Sequence, residues 1–186
     1  MRQMTFVSVL DKKESEEGLC LETDFAHIFE TYYKKIYNYI YYRVNCQYTA
    51  EDLVSQVFEK AMIKINTYAK EKSPFEVWLF IIAKNTLHDY FRRSRKYSFL
   101  SMDTIKEFIS KRRSPEDMVE ISETRDKLLL TLNSLNPRER NIVSLKFGGE
   151  LKNVEIAEVL NLSESNVGVI LYRAMKKLKR ELEKEV

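Results

Sequence analysis

The stretch "NVEIAEVLNLSESNVGVILYRAMKKLKREL", residues 153–182, leaves a folding chain little choice. Ile156, Ala157 and Leu160 share one helical face, and Asn153 is placed to cap their helix. Asn161-Leu162-Ser163 then allows three residues for a turn, after which Ser163 can cap a second helix by accepting a backbone N–H. In that helix Val167, Leu171, Ala174, Leu178 and Leu182 are spaced by four, three, four and four, which makes one apolar seam. A short helix, a tight turn and a longer helix form the helix-turn-helix outline, entered through the turn residues "GGE". Opposite the seam lie Ser165, Asn166, Val169, Tyr172, Arg173, Lys176 and Lys177. Reading helices set their N-terminal residues at base edges and their cations at phosphates, so this layout suits DNA. The competing reading is a solvated basic face that simply complements the helix C-terminus.

The rest of the chain is also helical in pattern. Four glycines and three prolines in 186 residues leave few breaks, so the expected fold is all-α. Residues 1–21 lack a sustained period and read as a tail. From Asp24, Phe25, Ile28, Phe29, Tyr32, Tyr33, Ile36, Tyr39, Ile40 and Val44 make an aromatic stripe at helical spacing. In "TAEDLVSQVFEKAMIKI", Thr49 and Asp52 form a capping-box pattern that starts a helix near Ala50. In "SPFEVWLFIIAKNTLHDYFRRSRK", Ser73 as N-cap, Pro74 at the first position and Glu76 at the third start another, which runs to about Arg95. Tyr97 to Arg113, between two basic clusters, is the linker candidate. Ser114-Pro115 opens a helix through Leu132, and Asn136-Pro137 with Glu139 opens the next through about Phe147. Two units of three or four helices joined by a flexible linker result, with no internal repeat.

Composition excludes several functions. A net charge of +3 rules out a uniformly basic coat, so any DNA-binding surface must be local. Cys20 and Cys46, with no close histidines, offer neither a disulfide framework nor a zinc site. Two distant histidines and the lack of a Gly-rich phosphate loop or a nucleophile motif argue against an enzyme, so catalytic residues, metals and cofactors are expected to be none. Neither a signal peptide nor a membrane span is expected, which places the chain in the cytoplasm.

Taken in order, "AEDLVSQVFEKAMIKI", "PFEVWLFIIAKNTLHDYFRRSRK" and "LNPRERNIVSLKF" with the helix pair above resemble the extracytoplasmic-function (ECF) family of RNA polymerase sigma factors, the group IV members of the sigma-70 superfamily. The resemblance runs from about Asp24 to Leu182. It implies a sigma-2 domain at 22–97, a linker at 98–113 and a sigma-4 helix-turn-helix domain at 114–186, after the 1–21 tail. It implies that Asp52, Gln56 and Glu59 contact the clamp of core RNA polymerase. Tyr68, Lys70 and Lys72 in a loop, and Asn85, His88, Arg92 and Arg93 on the following helix, would recognise and open the −10 promoter element. Trp78 fits the family's "WL" signature, but beside Phe75, Leu79 and Ile82 it reads as core.

By the same resemblance Ser163, Ser165, Asn166, Val169, Tyr172, Arg173, Lys176 and Lys177 would read the −35 element, with Arg138, Arg140 and Lys146 as phosphate contacts. Two departures stand out: the loop "AKEKSPFEV" lacks the Arg-Gly pair common in relatives, and Gly168-Val169-Ile170 replaces polar readers. The implied function is promoter-directed transcription initiation, with core polymerase, promoter DNA and an anti-sigma factor as partners. A membrane-bound anti-sigma factor would hold the protein at the inner face of the membrane. The alternative is an autonomous helix-turn-helix repressor or activator, which would leave the N-terminal half without a role.

Overall fold

The computed structural model describes the backbone of residues 16–100 and 131–183, and side chains within 25–94 and 131–183. Every regular element there is helical: α1 (Glu16–Val44), α2 (Gln47–Lys64), a 3-10 turn (Ile65–Thr67), α3 (Phe75–Leu100), α4 (Pro137–Val143), a π turn (Ser144–Gly148), α5 (Asn153–Leu160) and α6 (Glu164–Glu183). The all-α expectation is met. The linker candidate beyond Leu100 and most of the helix expected from Ser114 to Leu132 lie outside the described residues.

Two compact units divide at Lys34, inside α1. In the first, α1 already runs from Glu16, so the last residues assigned to the tail are helical, and the Phe29 and Tyr33 rings lie 5.0 Å apart. The second begins at Lys35, and its core draws on both parts of the sequence. Ile36, Tyr39 and Ile40 of α1, Leu53, Val54, Val57 and Phe58 of α2, and Val77, Leu79, Phe80 and Ala83 of α3 are buried. So are Ile142, Leu145, Ile156, Val159, Val167 and Ala174 from the later helices, with Leu151 from the connection before α5. These sets follow the 3.6-residue period, which is why each helix keeps one polar side for other work.

Helix starts test the capping arguments. Asn136 fulfils its prediction: its Oδ1 accepts from the Arg138 and Glu139 amides at 3.0 and 2.9 Å, while Glu139 accepts from the Asn136 amide at 3.1 Å. Thr49 does not, because α2 starts earlier, at Gln47 after an extended Cys46, and Thr49 is buried in its first turns. Nor does Ser73 cap α3. Its hydroxyl donates to the Pro74 carbonyl, and its own carbonyl is held by the Tyr68 hydroxyl at 3.2 Å. Glu76 turns instead to Lys35, 2.8 Å away. At its other end α3 extends to Leu100, past the Arg95 limit and into the expected linker.

The helix-turn-helix forms as read, with local corrections. Asn153 is the first residue of α5 rather than its cap, since the Lys152 amide donates to Glu155 at 2.6 Å. Asn161 takes a left-handed conformation (φ 53°), and the Leu162 amide closes back on the Ala157 carbonyl at 2.9 Å, a Schellman-type stop. Ser163 then caps α6 through its hydroxyl, 3.3 Å from the Asn166 amide. Val167, Leu171, Ala174 and Leu178 are buried as expected; Leu182, at 38% exposure, has run past the hydrophobic partners of the seam.

"GGE" requires a different explanation from turn chemistry. No glycine in the described residues has positive φ; Glu150 takes that conformation, at 59°. The two glycines are small for another reason. A Cβ on Gly148 would stand 2.9 Å from the Asn38 carbonyl carbon and the Tyr39 nitrogen of α1. One on Gly149 would meet the Phe80 ring at 2.7 Å and the Leu145 carbonyl at 2.8 Å.

Candidate nucleic-acid interface

Three helix faces expose the residues singled out in the sequence. On α2, Asp52, Gln56 and Glu59 are all exposed, spaced by four and three on the side away from Leu53, Val57 and Phe58. They form an acidic and polar strip on a helix anchored by its apolar side.

On α3, Asn85, His88, Arg92 and Arg93 are exposed. Arg92 is steadied by Asp89 at 3.0 Å, a solvated pair of little net energy that a phosphate can displace. Before this helix, Tyr68, Phe75 and Trp78 make a cluster with ring centroids 5.2 to 5.5 Å apart. All three are half-buried, so Trp78 belongs to a surface aromatic cluster and not to the deep core expected for it. Lys70 and Lys72 are exposed in the loop beside the cluster. Stacking faces next to cations are what unpaired bases require.

On α6, Ser165, Asn166, Val169, Tyr172, Arg173 and Lys176 are exposed, Tyr172 at 70% and Val169 at 47%. Gly168 has nothing within 4 Å of where its Cβ would be. The first half of α6 is therefore shallow at Gly168, with the apolar Val169 and Tyr172 exposed beside the polar Ser165, Asn166 and Arg173. Ser163 holds the helix start through its cap.

Lys177 is different from its neighbours. Its ammonium lies 2.7 and 2.8 Å from the two carboxylate oxygens of the buried Glu139, tying α6 to α4. Arg140 and Lys146 are likewise committed within the fold. Arg140 donates to the Tyr42 carbonyl at 2.7 Å and to Asn133 at 2.8 Å, and Lys146 donates to the Leu151 carbonyl at 3.2 Å. Of the three phosphate candidates in this region Arg138 is the exposed one. Sequence spacing finds cations on a face; it does not reveal the distant acceptors that take them.

Burial pushes the Glu139 carboxyl up, but the hydrogen bonds from Lys177 and the Asn136 amide, with the Lys177 charge, bring it below its ordinary value. A carboxyl with a lowered folded-state value stabilises the fold above its unfolded value, about 4.3 for glutamate, and loses that contribution as pH falls through the folded value. Lys177→Met is therefore expected to lower stability by about 1–3 kcal/mol at pH 7 and to flatten its decline below about pH 4. Urea titrations at several pH values measure both effects.

A model of sigma-70 region 2 matches residues 28–97, and one of sigma-70 region 4 matches residues 125–178. The ECF RNA polymerase sigma factor SigM of Bacillus subtilis is 31% identical over 153 residues, which are 82% of this chain and 91% of SigM. The chain belongs to the ECF RNA polymerase sigma factor family.

This sigma factor is also 35% identical over 158 residues to the ECF sigma factor BldN of Streptomyces coelicolor, covering 85% of its own length but 60% of BldN's. The chain thus spans three-fifths of that relative. Two solved structures share the fold at 20% identity. One is CnrH in complex with the cytosolic domain of CnrY, with a TM-score of 0.66 and 89% and 91% of the two chains covered. The other is RpoE with the anti-sigma factor NepR from Bartonella quintana, with a TM-score of 0.68 and 87% and 98% covered. Sigma factors are regulatory subunits. No helix among the described residues is long and apolar enough to cross a membrane.

Proposed function

We propose that this sigma factor binds core RNA polymerase through Asp52, Gln56 and Glu59 and melts and holds the −10 element with Tyr68, Lys70, Lys72, Asn85, His88, Arg92 and Arg93. It reads the −35 element with Ser165, Asn166, Val169, Tyr172, Arg173 and Lys176, while Ser163 and Lys177 position the reading helix. Residues 22–97 and 114–186 divide these tasks, with 98–113 as their connection. The observation that carries the reading is that all three faces are exposed on helices whose opposite sides are buried. A repressor would need α6 alone. An anti-sigma factor completes the set of partners, as NepR does for its own sigma factor. The protein acts in the cytoplasm, and a membrane-bound anti-sigma factor would hold it at the inner face.

Asp52→Ala is expected to weaken binding to purified core polymerase by about 1–2 kcal/mol, five- to thirtyfold, with no change in melting temperature. Unchanged core affinity would remove α2 from the polymerase interface.

A further inference from the structure

Two arginines meet beside the last turn of α1 and the first turn of α4. Arg43 of α1 donates through Nη1 to the Pro137 carbonyl at 3.0 Å. Arg140, one turn beyond Pro137, donates through Nε to the Tyr42 carbonyl at 2.7 Å and through Nη1 to the Asn133 side chain at 2.8 Å. Because Tyr42 and Arg43 are neighbours in the chain, these crossed bonds bring the two guanidiniums together, close enough for the charge of Arg43 to disfavour that of Arg140. The Phe91 ring steadies Arg43, whose guanidinium carbon lies 5.3 Å from the ring centre.

The pair has no counter-charge. Among the described residues no carboxylate pairs with either arginine, and Glu139, beside Arg140 in the chain, is taken by Lys177 at 2.7 and 2.8 Å and by the Asn136 amide. Arg43 Nε and Arg140 Nη2 are buried and make no hydrogen bond. Buried charges in proteins are normally paired and buried donors normally bonded, so such a pair raises the free energy of the fold unless an acceptor reaches it. Access is available. The bonds to the Pro137 carbonyl and to Asn133 lie at the surface, and the exposed Asn133 is a neutral acceptor that an anion outcompetes. Two guanidiniums call for two negative charges. A phosphate monoester carries about −1.5 to −2 at pH 7 and offers three strong acceptor oxygens, and the guanidinium fork matches them. A carboxylate or a nucleic-acid diester brings a single charge.

We propose that Arg43 and Arg140 form a binding site for a small phosphate dianion, inorganic phosphate or a low-molecular-weight monoester, which replaces the Asn133 oxygen on Arg140 and bridges the two guanidiniums. The site goes beyond promoter reading and does not depend on it, since neither arginine lies on the three exposed faces described above.

The test titrates inorganic phosphate and, separately, glycerol 3-phosphate into the full chain in a calorimeter near neutral pH, with ionic strength held constant by sodium chloride. One site is expected, and saturating phosphate should raise the melting temperature above that in chloride alone. Binding of inorganic phosphate only, or of the monoester as well, supports the site in either case and separates the two sources. Arg43→Gln and Arg140→Gln should each weaken binding by at least about tenfold. Arg180→Gln, which removes an exposed cation near the end of α6, should leave it unchanged. The Nε–H resonances of Arg43 and Arg140 should shift with the same midpoint as the heat. No binding beyond the chloride control overturns the proposal, as does binding that both glutamine variants retain or that Arg180→Gln weakens equally. Glutamine variants that keep phosphate binding but lose affinity for duplex DNA would assign the pair to the DNA backbone and overturn it too. Should those variants fail to fold, the Nε–H resonances of the unmodified protein decide, and resonances that stay in place overturn the site.

Discussion

Replacing Asn85 and Arg92 together by alanine is expected to reduce initiation at a cognate promoter by at least thirtyfold while leaving the fold and core binding unchanged. Both side chains are exposed on one edge of α3, and neither supports the core. A contact to an unpaired base or its phosphate is worth about 1–3 kcal/mol, so losing two removes at least about 2 kcal/mol, a factor of about thirty. The loss should fall on strand opening. Permanganate reactivity of thymines in the −10 element, measured with core present, should drop in step with transcript yield. Retained reactivity would place the defect elsewhere and take α3 out of strand capture.

Phe80→Ala is expected to destabilise the protein by about 3–5 kcal/mol, the usual range for truncating a buried phenylalanine. Phe80 is 0% exposed, its ring centroid lies 5.6 Å from that of Tyr39, and Gly149 approaches its edge. The void would open where α1, α3 and the π turn meet, and on its Gly149 side only backbone borders it, with no side chain there to collapse into it. At about 2–4 °C per kcal/mol for a chain of this size, the melting temperature should fall by about 6–20 °C. A urea midpoint that hardly moves would mean that the junction is more loosely packed than these contacts imply.

These two variants separate what the sequence makes legible from what it hides. Asn136, Ser163 and the seam from Val167 to Leu178 were readable because each depends on partners within a few residues. Exposed faces on α2, α3 and α6 were readable for the same reason: helical periodicity assigns them once the apolar side is known. Thr49 and Ser73 carried local capping patterns, but α2 extends back to Gln47, and the start of α3 is fixed by Tyr68 and Lys35. Gly148 and Gly149 looked like turn residues because turns are where adjacent glycines usually serve. Their actual constraint comes from Asn38, Tyr39 and Phe80, far away in sequence. Lys177, Arg140 and Lys146 share this lesson, since their acceptors Glu139, Tyr42, Asn133 and Leu151 are set by tertiary packing or loop geometry. A cation's spacing along a helix therefore nominates it for DNA; only its acceptors decide.

The measurement that bears most directly on the central claim is run-off transcription with purified protein, core polymerase and genomic fragments, with transcript 5′ ends mapped. A sigma factor of this family should direct core to discrete start sites that share two spaced upstream elements, and should bind those fragments weakly without core. No transcripts above core alone, together with tight specific binding of duplex by the protein itself, would contradict the account and establish a helix-turn-helix repressor instead.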